Sequence, residues 1–275
     1  MTLWVIYFLM TLQVVTIVNN KNLSLSVLSQ EDKLLVARVN DCVRFASLKH
    51  CAKFIGFLDE RAQNIACSIS TGGHCAVYKY AGYDNGQRVI FGFVPNDMPC
   101  NEEDFEITAL TFISRKTANL THRDYLGALM NLGIQREAVG DILCEQGRGV
   151  VFLKKSVCEL VKTSVDKIGK EGVKCTEQIT YPLPVADNFK KIENVIVSAR
   201  LDCVVASLCN LSRTKACELI NAGSVSINGF ECLKITKTVE NEDKITVRKY
   251  GKFVIDSADK LTRKNKLVLQ ARKYI

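Results

Sequence analysis

Between Leu211 and Gly229 the chain reads LSRTKACELINAGSVSING, a hydroxyl followed by an arginine and a lysine at the start of an apparent helix. Ser212 is placed to cap that helix, Gly223 to end it through a positive φ, and Asn228-Gly229 to turn a hairpin directly afterwards. Cations at a helix start face the positive end of its dipole, an arrangement that costs about 0.3–1 kcal/mol per charge. It becomes favourable when a phosphate sits between the cations and the free N–H groups of the first turn, because charge-assisted hydrogen bonds then offset the repulsion. The chemistry this stretch suits is therefore grip on a polyanion, with Ser212, Arg213 and Lys215 at its centre; a surface helix with ordinary charges is the alternative.

The charge distribution agrees. The net charge is +8, and residues 182–275 hold 17 Lys and Arg against 10 Asp and Glu, whereas residues 1–181 hold 20 against 19. The last stretch, Lys260 to Ile275, has six basic and no acidic residues, which suits a non-specific electrostatic contact.

Other candidate chemistry is weaker. The twelve cysteines are scattered from Cys42 to Cys232 with no Cys-x-x-Cys pair, so reduced, mostly buried thiols in a cytosolic protein are expected rather than a disulfide framework or a zinc site. His50-Cys51 and His74-Cys75 supply two ligands each at most, and no metal is expected. His122-Arg123-Asp124 has the form of a kinase catalytic loop, but Leu129 stands where its asparagine belongs and no glycine-rich nucleotide loop accompanies it. The first turn of a capped helix explains it better, with Arg123 left to touch RNA or a neighbour. Gly147-Arg148-Gly149 precedes a strand rather than opening a helix, so it is expected to be a hairpin turn with an exposed arginine. Phe91 and Phe93 of FGFV share a strand face as RNA-stacking aromatics do. Val89, Ile90 and Asn96 break that motif, and core packing is expected for these rings and for Tyr78 and Tyr80.

The elements that must position these residues follow from periodicity. At 47% hydrophobic content, 275 residues can form two domains. Ser29 with Asp32, and Thr121 with Asp124, are capping patterns, and Asp59 caps a helix between them. Ala76–Ala81 and Arg88–Val94 predict strands around Asp84-Asn85-Gly86, Phe105–Ile113 a third, and DILC and VVFL a pair around Gln146–Gly149. Val157, Leu160, Val161, Val165 and Ile168 predict a helix that Gly169 ends, and the alternating stretches make this an α+β region. Tyr181-Pro182-Leu183-Pro184 marks a linker. Beyond it, Ser198 is expected to cap a helix through Leu201, Val204, Val205 and Leu208, the Ser212 helix follows, and Val225, Ile227, Ile245 and Val247 alternate as strands, giving two short helices packed on a small β-sheet. Trp4–Val18 is an apolar run too short to span a bilayer as a helix, with no preceding cation or clear cleavage site; it reads as a misassigned start, a short appended element or a weak anchor.

Arg200-Leu201-Asp202, SRTKACELINAGSVSING and EDKITVRKYGKFVI (Glu242 to Ile255) together resemble the RNA-binding domain named for ribosomal protein S-four, over about Val195 to Ile255. The resemblance implies RNA contacts from Arg200, Ser212, Arg213, Lys215, Asn228 and Gly229, with Arg248, Lys249 and Lys252 in the basic strand and its extension; Asn221 and Ala222 depart from the basic or polar pair of many members. FLDERAQNIA (Phe57 to Ala66), HRDYLGALMNLGIQREAVGDIL (His122 to Leu143) and KIGKEGV (Lys167 to Val173) resemble the YlmH family, in which an α/β RNA-binding module precedes an S-four domain. The expected architecture is thus α+β throughout: an atypical apolar extension over 1–28, a helical and α/β YlmH-type domain over 29–180, a linker over 181–194, an S-four-like domain over 195–256 and a basic tail over 257–275. The YlmH resemblance implies a cytoplasmic, non-enzymatic protein without cofactor, whose partners are rRNA, tRNA and the large ribosomal subunit, acting in quality control of stalled nascent chains, with a link to cell division. The alternatives are an RNA-modifying enzyme, of pseudouridine synthase or methyltransferase type, and a membrane-linked division scaffold. Against the enzyme stand the terminal position of the S-four-like segment and the lack of a cofactor-binding glycine fingerprint.

Overall fold

Three helices of the first unit begin where a short polar side chain meets the free backbone amides of the first turn. The computed structural model describes residues 13–14, 28–179, 181–184, 189–262 and 265–274. The Ser29 hydroxyl accepts from the Asp32 amide while the Asp32 carboxylate accepts from the Ser29 amide, opening α1 (Gln30–Lys49). Asp59 caps α2 (Glu60–Cys67), and Thr121 with Asp124 closes the same reciprocal box on α3 (His122–Asn131). All three capping expectations hold.

The chain divides into two units, residues 1–186 and 187–275. In the first, β1 (Gln13–Val14), β2 (Lys53–Leu58), β3 (Cys75–Tyr80) and β4 (Val89–Pro95) form an antiparallel sheet of order β1-β3-β4-β2. A second antiparallel sheet, β10-β5-β7-β6, is built from β5 (Ile107–Ile113), β6 (Val139–Glu145), β7 (Arg148–Lys154) and β10 (Lys174–Thr176). Strand alternation sorts the core into layers. Phe91 and Phe93 of β4 pack with Val39 and Ala46 of α1 and Ala66 of α2. Ile90, one residue out of step, joins Phe57, Val150 and Phe152 between the two sheets. Val151 and Leu153 of β7 face the opposite way, onto Tyr125 and Leu129 of α3 and Val161 of α4 (Lys155–Ser164). The result is helices, sheet, sheet, helices, with β4 and β7 buried on both faces. The FGFV rings are core, as expected, Phe93 being fully inaccessible.

A polar joint ties the sheets at one edge. The buried Asp141 carboxylate of β6 accepts from the Tyr83 hydroxyl and from the Gln87 and Arg88 amides, while the Arg88 guanidinium donates to the Phe57 and Val139 carbonyls. Every acceptor lies on a strand or its flank, so the joint satisfies backbone groups that burial would otherwise leave unpaired.

Two sequence expectations change here. The helix predicted to reach Ile168 ends at Ser164. Val165 is already extended, and Ile168 pairs in the short ladder of β8 (Lys167–Ile168) with β9 (Glu171–Gly172), turned by Gly169 at φ 58°; both residues still reach the same core from extended backbone. The Gly147–Gly149 turn is a hairpin, but Arg148 is not exposed. Its side chain keeps only 17% of its accessibility and donates to Glu145 and to the Pro182 carbonyl. Trp4–Val18 lies outside the described residues except for Gln13 and Val14, whose backbone pairs with Lys79 and Tyr78. Among the described residues no helix is long and apolar enough to cross a membrane, and the cysteines are free thiols.

The second unit is a six-stranded antiparallel sheet with a helix pair on one face. β11 (Phe189–Ile196), β12 (Val225–Ile227), β13 (Phe230–Glu231), β14 (Lys244–Val247), β15 (Gly251–Leu261) and β16 (Leu267–Tyr274) run in the order β11-β16-β15-β14-β12-β13. Leu201, Val204, Val205 and Leu208 of α5 (Leu201–Cys209) and Ala216 and Ile220 of α6 (Arg213–Asn221) pack on Ile196, Ile245, Val247, Phe253, Ile255 and Leu269. Two boundaries expected from charge and proline are redrawn. The end of the linker segment is strand β11, and the basic tail is the second half of a long hairpin, β15 with β16. Ile192, Ile196, Leu267, Leu269 and Ala271 all point into the core at period two, an alternation short enough to be masked by the basic pairs that flank it, Lys190-Lys191 and Arg272-Lys273.

Asp32 provides a test of the first unit. Hydrogen bonds from Arg61 of α2, at 2.7 and 3.2 Å, hold its carboxyl down to about 2. The folded value lies below the unfolded one, so this stabilisation is full above about pH 4 and is lost as pH falls through 2. Asp32→Asn should lower stability by about 1–2 kcal/mol at neutral pH, after allowing for the partial exposure of Arg61. In urea titrations the difference from the parent should close as pH approaches 2.

Candidate nucleic-acid interface

Two helix starts lie in the second unit, and the fold treats them differently. Arg200, not Ser198, is the N-cap of α5. Arg200 is held extended by its bridge to Thr238, with the Val239 amide donating to the Ala199 carbonyl beside it, which delays the helix to Leu201. The same loop closes the helix mouth, because the Leu201 and Asp202 amides donate to the Lys237 and Ile235 carbonyls. At α6 the Ser212 hydroxyl accepts from the Lys215 amide at 3.2 Å, as expected. That leaves the Arg213 and Thr214 amides as the orphan donors of an exposed first turn. The first mouth is thus closed by backbone carbonyls, whereas the second presents an exposed first turn.

Asp202 organises the cations around it. Its carboxylate is 1% exposed, yet it accepts from Arg200 Nε at 3.0 Å and from Arg213 Nη2 at 2.5 Å. Burial alone would raise its pKa; hydrogen bonds and charge from Arg213 and Arg200 outweigh that and hold it below the ordinary aspartate range. One buried anion therefore orients two guanidiniums whose side chains remain 42% and 58% exposed. Each guanidinium has five N–H donors, so those not engaged by Asp202 can meet phosphate oxygens. Sequence reasoning proposed both arginines and missed the carboxylate that pairs them. An acid in the first turn of a helix reads as an ordinary dipole complement, and nothing in the spacing announces its bond to Arg213.

The remaining residues divide. Lys215 is exposed and forms an i, i+3 pair with Glu218 at 2.7 Å, so its ammonium must exchange partners to hold a phosphate. Asn228 is committed to the fold: it donates to Asp243, accepts from the Lys244 amide and takes φ 51°, with Gly229 at 83° completing the tight turn. Arg248 and Lys249 are exposed in the β14–β15 turn, which the Arg248 amide ties to the Ser224 carbonyl just beyond α6. Lys252 is not brought to the helix face. It alternates with core-facing Phe253, and its ammonium sits 5.2 Å from the centre of the Tyr274 ring on the opposite side of the sheet.

Among the described residues, one acidic and thiol cluster lies within metal-binding reach, Cys158 with Glu159 and Glu177. Lys162 occupies it, donating to both carboxylates. His122-Arg123-Asp124 is the first turn of α3, and Asp124 is engaged by Thr121.

The fold and this cationic helix mouth suit an α+β nucleic-acid-binding protein, and comparison with known proteins gives the class. Residues 100–181 match the family model described as "Putative RNA-binding domain in YlmH". The chain is 24% identical over 239 residues to the ribosome-associated protein quality control protein P2 of Bacillus subtilis (strain 168), an alignment spanning 86% of this chain and 93% of the relative. A solved structure, the cell division protein ylmH from Streptococcus pneumoniae, aligns with a TM-score of 0.48 at 21% identity, over 55% of this chain and 93% of that one. The domain match and the curated relative agree with the resemblance read from the sequence: the chain is similar to YlmH-type proteins, and residues 100–181 match the putative RNA-binding domain of that family.

The Asp202 clamp can be tested in the full chain. Asp202→Asn should weaken the second unit by about 1.5–3 kcal/mol, the usual contribution of hydrogen bonds to charged groups. Faster hydrogen exchange at the Val204 and Val205 amides would report it. Because the folded carboxyl lies below its unfolded value of 3.8, the deficit should be full above that pH and shrink below it.

Proposed function

We propose that this protein is a non-enzymatic RNA-binding protein of the cytoplasm that docks on structured ribosomal and transfer RNA at the large ribosomal subunit, in quality control of stalled nascent chains. The first unit is the YlmH-type module in this reading, and the second carries the S-four-like contact. The domain match over residues 100–181 and the quality-control role in the relative's name support it.

The observation that carries the docking mechanism is the open mouth of α6 beside the Arg200–Asp202–Arg213 clamp. Arg200, Ser212, Arg213 and Lys215 form the proposed phosphate surface, with Arg248 and Lys249 extending it, while Asn228 and Gly229 shape the adjoining turn. Contacts of this kind position the protein on an RNA backbone, and the shape of the folded RNA selects the site. A phosphate entering the mouth would take the two free amides, draw Lys215 from Glu218 and leave the Asp202 clamp intact.

Each neutralised phosphate contributes a slope of about −0.7 to −0.9 to log affinity against log salt. Arg213→Ala with Lys215→Ala in the full chain should flatten the slope for a folded ribosomal RNA fragment by about 1.5–2. A folded double variant with an unchanged slope would reject this surface.

A further inference from the structure

The sheet of the second unit has a second face, turned away from the helices. Partners in an antiparallel ladder share a face, so the register defines what stands there. Phe189 lies opposite Tyr274, and Lys191 opposite Arg272; Arg272 is also opposite Val254, and Val254 opposite Lys244. None of these residues belongs to the core that the helices cover. The two rings meet at 4.7 Å with their planes 60° apart, and both are half-buried. Arg272 lies 5.1 Å from the Phe189 ring centre, and Lys252 5.2 Å from that of Tyr274. Asp256 is the acid paired to Arg272, at 2.7 Å.

We infer that this face is a second RNA contact, a platform on which Phe189 and Tyr274 stack unpaired bases while Lys191, Lys244, Lys252 and Arg272 hold the adjoining phosphates. Aromatic rings on a sheet face bordered by cations are the elements that single-stranded nucleic acid requires: every base has a π-face, and its backbone is a continuous polyanion. Against these four cations the face carries two carboxylates, Asp256 paired with Arg272 and Glu193 held by Gln270, so the balance stays positive and favours a polyanion over an apolar partner. Cross-strand ring and cation pairing alone would stabilise the β11–β16 ladder without a ligand, and the test separates the two roles. Because the platform and the α6 mouth lie on opposite sides of one sheet, they would engage different stretches of RNA: folded helix on one side, a flexible strand on the other. This inference rests on the RNA-binding reading above and extends it to a substrate class, single-stranded RNA.

The probe is a 12-nucleotide oligouridine carrying 4-thiouridine, with a folded RNA hairpin as comparison, both offered to the full-length protein. Phe189→Leu with Tyr274→Leu keeps apolar bulk in the strands and removes both π-faces. It should weaken oligouridine binding about fivefold or more, the lower end for loss of a base–aromatic stack, and leave hairpin binding within about twofold. Tyr274→Phe, which keeps the ring, should bind as the parent does. Photocrosslinks should map to peptides containing Phe189 or Tyr274. If the leucine double variant unfolds, the crosslink map in the unaltered protein decides. Unchanged oligouridine affinity in a folded leucine variant, or crosslinks confined to other peptides, overturns the platform. Hairpin binding that survives with its dependence on Arg213 and Lys215 would leave the docking reading standing, whereas loss of that dependence would reject the docking reading by itself.

Discussion

A single buried carboxylate sets the geometry of the proposed RNA surface. Two guanidiniums near each other repel, and each samples many rotamers when it projects freely into water. Asp202 removes both difficulties by lying beneath them, anchored in the first turn of α5 and sealed from solvent. The clamp leaves a net positive pair with fixed directions, so an incoming phosphate meets donors already ordered. A buried ion pair is weak evidence for stability because desolvation opposes it; what it supplies here is orientation. The loop at residues 235–239 belongs to the same device, since its carbonyls take the α5 amides and keep that helix start from competing for the anion.

The first unit is governed by a different constraint, the need to satisfy backbone groups where two sheets meet. The Asp141–Arg88 joint does this with one carboxylate and one guanidinium spread over several strands. Asp141 is buried, and that burial pushes its carboxyl up despite its donors. Glycine completes the close packing at one point of this unit: a Cβ at Gly149 would lie 2.3 Å from the Tyr125 ring, so β7 can approach α3 only with glycine there.

Much of this was legible in the sequence because it is local. The capping boxes at Ser29 and Thr121, the Ser212 start, the Gly223 stop and the Asn228-Gly229 turn are each written within a few residues, and the structure keeps them all. What the sequence hid is non-local. Asp202 and Arg213 are eleven residues apart and meet only because α5 packs on α6. The pairing of β11 with β16 joins the two ends of the second unit, so neither strand has a sequence neighbour to suggest it, and their charges led to a linker and a tail. The surface set divided for the same reason: Lys252 follows the basic turn in sequence, yet strand alternation carries it to the far side of the sheet.

The β11–β16 ladder has a consequence for how the protein is made. Strand β11 is synthesised before the helix pair, and among the described residues its sheet neighbour is β16, which follows every other strand of this sheet in sequence. During translation it must wait, with its hydrogen-bonding edge bare, until β16 has been made and clears the exit. A product truncated shortly before Leu267 would retain the helices and the inner strands but display an unmatched edge, the kind of surface that draws other chains into association.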